Sequence, residues 1–484
     1  MDGKEHELFE IHQYFEQLQL RGKRRPIVGN DNVRLLTTIL FPLRGTSILL
    51  RGEAGSAKSS IIRGAIVLAF GPGVLDDAVP EVLLWGGSSD KALLTDNNVN
   101  RIELEATHCI IPELEFVLTT DRGYDIVKVW TEGEVYPYER ATNFGHGTER
   151  LVLKPLPILT SIANESPRLK DLGEEMERRY MPLYTESNRE MTQRIHIRKA
   201  EIEAYPDDSI FIEAAQQVSD LRGHFKNCMK MNFGGAIRRS LLDSGEKILI
   251  KNPSAVYLHG VVPKRFTISN TYIDYWHEIV KAITTFYYTS RPIYERRTDK
   301  VLMATPVDNY LAWLIGGQAI VDASLRLRDL GHVLMQIVPT ISYSYGGDLS
   351  ISNEAKALDH IVDEVSTKGY ERSRSQIKEL LLRLVMANYV KMDDKDRFWK
   401  TMQYGDEFVK GINWQECVDE TKKVIREKYP EVAQDFIPMY CDDPVCLDPF
   451  TGKKVRLLDI EAGEESKTET VVKTKKRVTL DDLA

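Results

Sequence analysis

Apolar residues in the first 200 positions follow two alternating patterns, one of strand length and one of helical spacing. Helical spacing occurs in residues 1–20 and again through Val33, Leu36, Ile39 and Leu40. Short apolar runs predict strands at residues 47–50, 82–85, 102–104, 108–111 and 157–163, the last of them central. Alternating strands and helices are typical of a sheet with helices on its faces. The pattern therefore predicts an α/β fold for this part of the chain.

From about residue 206 the pattern becomes mostly helical. A long periodic segment at 306–330 predicts one helix, with a kink or a close packing point at Gly316 and Gly317. Helical segments at 354–366 and 373–387 are followed by a strand–turn–strand pattern over 389–400. This order predicts a winged helix-turn-helix. The polar residues 464–484 have the composition of a disordered tail.

Composition excludes several classes of protein. The 484 residues suffice for two to four domains, and an apolar fraction of 42% is typical of a soluble protein. No apolar run reaches the length of a membrane span, and the polar start lacks a signal-peptide core. Five scattered cysteines favour a reducing compartment, so we expect a cytoplasmic protein. The net charge of −8 excludes a basic nucleic-acid coat but permits a locally basic channel.

A glycine-rich segment between a predicted strand and a predicted helix carries the clearest chemistry. Its order of strand, glycine-rich loop, Lys-Ser and helix is that of a phosphate-binding P-loop. Lys58 is expected to reach the outer phosphates of ATP, and Ser59 to hold Mg²⁺ through its hydroxyl group. Ala57 departs from the usual pattern because a glycine is common there. The predicted nucleotide-binding residues are Gly52, Glu53, Ala54, Gly55, Ser56, Ala57, Lys58, Ser59 and Ser60.

Three further motifs follow in an order that suits ATP hydrolysis. Glu113 ends the segment 109–113 and is the expected base that orients water. Pro112 stands at the position of a Mg²⁺-binding acid, which suggests slow hydrolysis. Asn164 ends the run 157–163 and would position the attacking water. Arg179, or its neighbour Arg178, would stabilise transition-state charge at the site of an adjacent subunit. The alternatives are an exposed glutamate, a turn-forming asparagine and solvated arginines.

Taken in order, these motifs resemble an AAA+ ATPase over about residues 26–200. The segment 26–29 resembles the adenine-side loop, 52–59 Walker A, Asn164 sensor 1, and residues 178–180 the element that carries the arginine finger. The Ala-Lys-Ser ending of the loop and the segments 87–94 and 131–135 resemble the branch of MoxR, magnesium chelatase and MCM. The segment 301–330 resembles an MCM lid helix, although Asp308 stands where a sensor-2 arginine is expected.

The resemblance implies a parallel sheet with flanking helices, a helical lid and a C-terminal winged helix, assembled most often as a hexameric ring or spiral. The expected division is an N-terminal helix and basic linker, an ATPase core, a lid with an insertion, the winged helix, an extension and a tail. Their bounds are 1–25, 26–205, 206–345, 346–410, 411–463 and 464–484.

Two basic segments bear on the substrate. The predicted hairpin at 136–154 contains Arg150 and Lys154, which in MCM-like motors would enter a central channel, although an ordinary surface hairpin is the alternative. Arg374 and Lys378 begin the second helix of the winged domain and suit DNA contacts, although such domains also bind proteins. We therefore expect an ATP-driven oligomeric motor acting on DNA. The alternatives are a MoxR-like chaperone that remodels protein complexes and a slow nucleotide-dependent switch. A protein partner would bind to the insertion, the winged helix or the tail.

Overall fold

The computed structural model describes residues 6–20, 23–24, 26–86, 93–141, 148–163, 178–185, 189–204, 209–231, 247–259, 269–296, 299–325, 331–341, 355–370, 372–386, 390–401 and 412–460. Asn164, most of the segment 87–94 and the predicted tail 464–484 lie outside these ranges.

The first 204 residues alternate between helices and strands, as predicted. The run 102–104 is the exception, because it ends a helix rather than forming a strand; Val99 and Ile102, three residues apart, are buried in one apolar cluster. In chain order the elements are α1 Leu8–Glu16, β1 Gln19–Leu20, β2 Lys23–Arg24, α2 Asp31–Arg44, β3 Ile48–Gly52, α3 Lys58–Phe70, β4 Val82–Leu84, α4 Asp96–Leu104, β5 His108–Ile111, α5 Leu114–Val117, α6 Asp121–Thr131, β6 Tyr136–Ala141, β7 Thr148–Leu153, β8 Ile158–Ala163, β9 Met181–Tyr184 and α7 Arg189–Ala204.

Five parallel strands form the central sheet in the order β4-β5-β8-β3-β9. Both faces are covered, and alternate residues of β3 enter different apolar clusters: Ile48 and Leu50 join one cluster, and Leu49 joins the other. The run 157–163 is central, as predicted, because β8 lies between β5 and β3. The carboxyl ends of all five strands meet at one edge, which is where ligands bind in open parallel sheets.

The middle of the chain combines helices with a small sheet that the helical pattern did not predict. Three strands pair in the order β10-β12-β11, with β10 and β12 parallel. The predicted long helix is present as α11, and the predicted close packing point is confirmed: a Cβ on Gly316 would lie 2.6 Å from Ile279 Cδ1. The elements are α8 Ser209–Lys230, β10 Ile248–Lys251, α9 Ala255–Leu258, α10 Ser269–Phe286, β11 Ile293–Arg296, β12 Asp299–Met303 and α11 Pro306–Leu325.

The C-terminal part contains the two helices and the hairpin that the sequence predicts for residues 354–400. Strand β16 pairs antiparallel with β15 and with β14. The elements are α12 Gly331–Ile337, β13 Thr340–Ile341, β14 Lys356–Ala357, α13 Leu358–Thr367, α14 Arg374–Met386, β15 Lys391–Met392, β16 Arg397–Thr401, α15 Trp414–Lys428, α16 Pro430–Tyr440, β17 Val445–Leu447 and β18 Lys454–Arg456. Within the described ranges, no helix combines the length and the apolar character needed to cross a membrane.

Candidate functional site

The glycine-rich loop lies at the carboxyl edge of the sheet, between β3 and α3. Gly52 is the last residue of β3, and Lys58 is the first residue of α3. Gly55 and Ala57 have φ values of 84° and 66°, so the backbone turns twice through the left-handed region. The amide groups of the first turn of α3 have no partners within the helix, and they make this end of the helix attractive to anions. This is the strand–loop–helix arrangement of a P-loop.

The Lys58 side chain folds over the loop that precedes it. Its ammonium group donates hydrogen bonds to the carbonyl oxygens of Gly52 at 2.8 Å and Glu53 at 2.6 Å. The Ser56 hydroxyl lies 3.4 Å from the same nitrogen. Ser59 is exposed in the first turn of α3. The loop therefore brings together a centrally held cation, a solvent-accessible hydroxyl group and the amino end of a helix.

Thr185 supports the loop, and the sequence patterns did not indicate it. Its hydroxyl oxygen lies 2.6 Å from that of Ser56, and its amide group donates to the Arg51 carbonyl oxygen at 2.7 Å. Gly52 is required there because a Cβ at that position would overlap the Thr185 hydroxyl group. The only sequence signal is indirect: Thr185 immediately follows β9, the strand that pairs with β3. Thr185 thus fixes the base of the loop through contacts that join distant parts of the chain.

Glu113 lies at the same edge of the sheet as the loop. It is exposed and precedes α5, two residues after the end of β5. The neighbouring Pro112 carbonyl oxygen accepts a hydrogen bond from the Ser161 hydroxyl at 2.7 Å, which ties the end of β5 to β8. Because β8 separates β5 from β3, the two strand ends are about 10 Å apart. That spacing leaves room for a phosphate group and a water molecule between Glu113 and the loop.

The expected γ-phosphate sensor, Asn164, lies outside the described residues. The strand that leads to it is described, and its last residue, Ala163, pairs with Gly52 at the start of the loop. Strand β8 therefore ends beside the loop.

Arg178 and Arg179 precede β9 and so lie at the amino edge of the sheet, opposite the loop. The Arg179 side chain is only 8% exposed; it pairs with Glu132 and donates to the Lys128 carbonyl oxygen at 3.2 Å. Arg178 is exposed, and its carbonyl oxygen accepts from the Tyr275 hydroxyl at 3.3 Å. Neither arginine lies at the edge occupied by the loop of its own chain.

The expected adenine-side loop is held between α2 and α7. Gly29 and Asn30 both have positive φ, and a Cβ on Gly29 would lie 2.6 Å from Met191 Cε of α7. The Arg34 guanidinium donates to the Ile27 carbonyl oxygen at 2.5 Å. Burial lowers the pKa of Arg34 to about 10, so this side chain remains a cation at neutral pH. These contacts fix the backbone of residues 26–30.

Three of the predicted DNA-contact residues, Arg374, Lys378 and Lys154, have acidic or carbonyl partners. Arg374 pairs with Asp359 at 2.6 Å, and Lys378 pairs with Asp396 at 2.6 Å. Lys154 donates to the carbonyl oxygen of Glu103 at the end of α4. The predicted hairpin is present as β6 and β7, in which Arg150 pairs by backbone with Glu139.

Asp308 stands at the expected sensor-2 position, where it belongs to a buried network of ion-pair and hydrogen-bond contacts. It is fully buried and forms a bidentate ion pair with Arg291, with both nitrogen–oxygen distances at 2.5 Å. The Thr284 hydroxyl and the Thr305 amide also donate to its carboxylate, at 2.9 and 3.0 Å. This network satisfies a buried charge and joins α10 to α11.

The five cysteines are buried or half-buried free thiols. Burial raises the pKa of the Cys441 and Cys446 thiols to about 12. Across the part of the chain that the structure describes, no group of three or more His, Cys, Asp or Glu side chains is arranged to hold a metal ion.

Comparisons with known proteins give little further guidance. No protein-family model matches this chain, and no curated protein matches it. Two solved structures of NtrX from Brucella abortus, one in complex with ATP and the other with ADP, align with it at 12% sequence identity. The alignments cover 75% and 74% of this chain and 70% of each NtrX chain, with a TM-score of 0.23. A score of that size does not establish a shared fold.

Proposed function

We propose that this protein is a P-loop ATPase of the AAA+ type, which binds ATP with Mg²⁺ at residues 52–60. The observation that carries the proposal is the position of Lys58, whose ammonium group is held by the Gly52 and Glu53 carbonyl oxygens at the amino end of α3. A cation and the amino end of a helix at the carboxyl edge of a parallel sheet suit a polyphosphate.

The surrounding residues fit the two cofactors. The loop amides and Lys58 would bind the phosphates, and the exposed Ser59 hydroxyl would hold Mg²⁺ together with phosphate oxygens. Bound Mg²⁺ neutralises charge on the phosphates. Glu113 would orient a water molecule across the gap of about 10 Å between the ends of β5 and β3. Asn164 is the proposed γ-phosphate sensor because it directly follows Ala163, which pairs with Gly52 at the start of the loop.

Oligomerisation is part of this proposal. Arg178 and Arg179 lie at the edge of the sheet opposite their own loop, so they would complete the site of a neighbouring subunit. Arg178 is better suited to this role because it is exposed, whereas Arg179 is buried against Glu132. A ring or spiral of subunits, most often six, satisfies this geometry, and the lid and winged helix of an AAA+ protein would correspond to residues 206–345 and 346–410.

DNA remains a predicted partner of the motor. The hairpin β6–β7 and the helix α14 carry the basic residues through which the motor would contact DNA. Binding through Arg374 or Lys378 would require exchange of Asp359 or Asp396 for DNA phosphates. The Arg374–Asp359 pair is exposed, and exposed ion pairs are weak, so the exchange would cost little there.

A slow nucleotide-dependent switch is the second proposed function, and Pro112 favours it. Pro112 occupies the position at the end of β5 where a carboxylate would help to bind Mg²⁺, and its carbonyl oxygen is already bound by Ser161. With Ser59 as the protein's hydroxyl ligand, Mg²⁺ would be held less firmly and turnover would be slow.

ATP binding to Lys58→Ala tests the proposal. Calorimetric titration with MgATP should show binding to the wild-type protein and to Lys199→Ala, an exposed lysine on α7, and none to Lys58→Ala because the phosphates lose their cation. Equal binding by all three proteins would rule out the P-loop function. Turnover measured with and without single- and double-stranded DNA then separates the motor from the switch: stimulation by DNA supports the motor, and tight binding without turnover supports the switch.

A further inference from the structure

A contact between the phosphate loop and the C-terminal helices links two distant parts of the chain. The Arg372 guanidinium forms an ion pair with the Glu53 carboxylate, although the two residues are 319 positions apart. Their side chains are 16% and 32% exposed. Partial burial reduces screening by solvent, so this pair is more sensitive to nearby charge than a fully exposed pair.

Glu53 belongs to the loop itself. Its carbonyl oxygen accepts a hydrogen bond from Lys58 at 2.6 Å, so the residue that carries the carboxylate is in contact with the cation of the proposed phosphate site. A polyphosphate held by Lys58 would bring several negative charges close to this carboxylate. Those charges would repel Glu53 and attract Arg372, whose planar guanidinium binds phosphate and carboxylate oxygens in the same bidentate way.

Arg372 belongs to a unit with its own apolar core. Residues of α13, α14 and β16 form this core together with α12 and the end of α11, and its members include Leu358, Ile361, Ile377, Leu381 and Phe398. Other cations of the unit pair within it, as Arg374 does with Asp359 and Lys378 with Asp396. Arg372 instead pairs across to the loop, so the position of this unit is coupled to the charge of the loop.

We propose that Glu53 and Arg372 form a charge latch that reports occupancy of the phosphate loop to the unit 355–401. Without nucleotide, Arg372 is held by Glu53; with a triphosphate in the loop, Arg372 exchanges its carboxylate partner for phosphate oxygens. The inference rests on the proposed function and adds a regulatory role for the C-terminal unit. It makes Arg372 a phosphate-binding residue and Glu53 its competitor.

Nucleotide affinity measured for four variants tests the latch. Arg372→Ala should weaken ATP binding about tenfold and Glu53→Gln should strengthen it about tenfold, the effect of one charge-assisted hydrogen bond. Arg372→Lys should recover part of the loss because the positive charge is kept. The effects should be smaller for ADP and absent for adenosine, which lacks phosphates. Arg383→Ala is the matched control, since it removes another ion-paired arginine of the same unit, which lies on α14 and pairs with Glu379.

A double variant separates competition from simple docking. In the Arg372→Ala background, Glu53→Gln should change ATP affinity by less than about threefold, because no arginine remains to be released. Equal changes for ATP, ADP and adenosine, together with a lower melting temperature, would instead mean that the pair only holds the two parts together. Wild-type affinity in both single variants would overturn the latch and leave the ATPase intact, whereas wild-type protein that binds no ATP would overturn both proposals.

Discussion

Ala57 departs from the usual pattern of the loop, and its backbone conformation is unfavourable for a residue with a side chain. It is the residue before α3 and has φ 66° and ψ 8°, a left-handed conformation that favours glycine. A side chain in this conformation costs about 1–2 kcal/mol because Cβ approaches a carbonyl oxygen. The missing loop glycine is therefore a local strain at the proposed binding site as well as a departure from the usual pattern.

Replacement of Ala57 by glycine should stabilise the protein. We expect Ala57→Gly to raise the free energy of unfolding by about 0.5–1 kcal/mol, since relief of strain exceeds the added entropy of the unfolded chain. Urea denaturation measures this change. The control Ala65→Gly, in the interior of α3, should lower the same free energy by about 1 kcal/mol. Destabilisation by both substitutions would show that the strain at Ala57 is negligible.

Among the elements, the contact between α8 and α10 contains a buried histidine. The Nε2 atom of His224 lies 2.7 Å from the Phe286 carbonyl oxygen, to which it donates, and its ring packs against His6 at 4.9 Å. Burial lowers the pKa of His224 to about 4, despite the opposing effect of the Phe286 carbonyl group. The histidine is therefore neutral in the folded protein at pH values where it is charged in the unfolded chain.

This histidine makes the stability of the α8–α10 contact depend on pH. The unfolded chain binds the proton near pH 6.5 and the folded protein near pH 4, so stability is full above pH 6.5 and falls as the pH drops towards 4. Protonation of His224 should lower the free energy of unfolding by about 3 kcal/mol. Chemical denaturation between pH 7 and 4 should show a shallower fall for His224→Gln, which keeps a donor. His360→Gln, an exposed histidine on α13, should retain the wild-type profile; an unchanged slope in His224→Gln would contradict the prediction.

In the whole molecule, the two proposed halves of the catalytic site lie at opposite edges of the sheet. Lys58 and Glu113 lie at the carboxyl edge, and Arg178 and Arg179 at the amino edge. A single subunit is therefore expected to lack a complete catalytic site, so ATPase activity should depend on the assembly of subunits.

Mixing two inactive variants tests this dependence. Lys58→Ala keeps the arginines, and the double variant Arg178→Ala/Arg179→Ala keeps the loop and should still bind ATP. Each alone should lose ATPase activity by a factor of about 10³ or more. An equal mixture that exchanges subunits should regain about a quarter of wild-type activity, since one interface in four combines an intact loop with intact arginines. A mixture of Lys58→Ala with wild-type protein controls for exchange, and no recovery in the test mixture would place the arginine elsewhere.

Local features could be predicted from the sequence by itself. The glycine-rich loop between β3 and α3, the strands β5 and β8, the long helix α11 and the hairpin after α14 each have a signature within a few consecutive residues. Periodicity and turn chemistry are properties of neighbouring residues, so these elements could be predicted without any knowledge of their partners. The strand predicted at 102–104 was wrong, because a segment with only two apolar residues, Ile102 and Leu104, is too short to distinguish a strand from the last turn of a helix.

Only the tertiary structure decided which distant residues meet. Thr185 supports Ser56 from 129 positions away, Arg372 reaches Glu53 from 319 positions away, and Asp308 is neutralised by Arg291. The sheet β10-β12-β11 likewise joins segments about 50 residues apart. Such contacts arise because burial of apolar surface brings separate elements together, after which each buried polar group must find a partner. The sequence thus determined the glycine-rich loop, and the packing of distant segments determined what surrounds it.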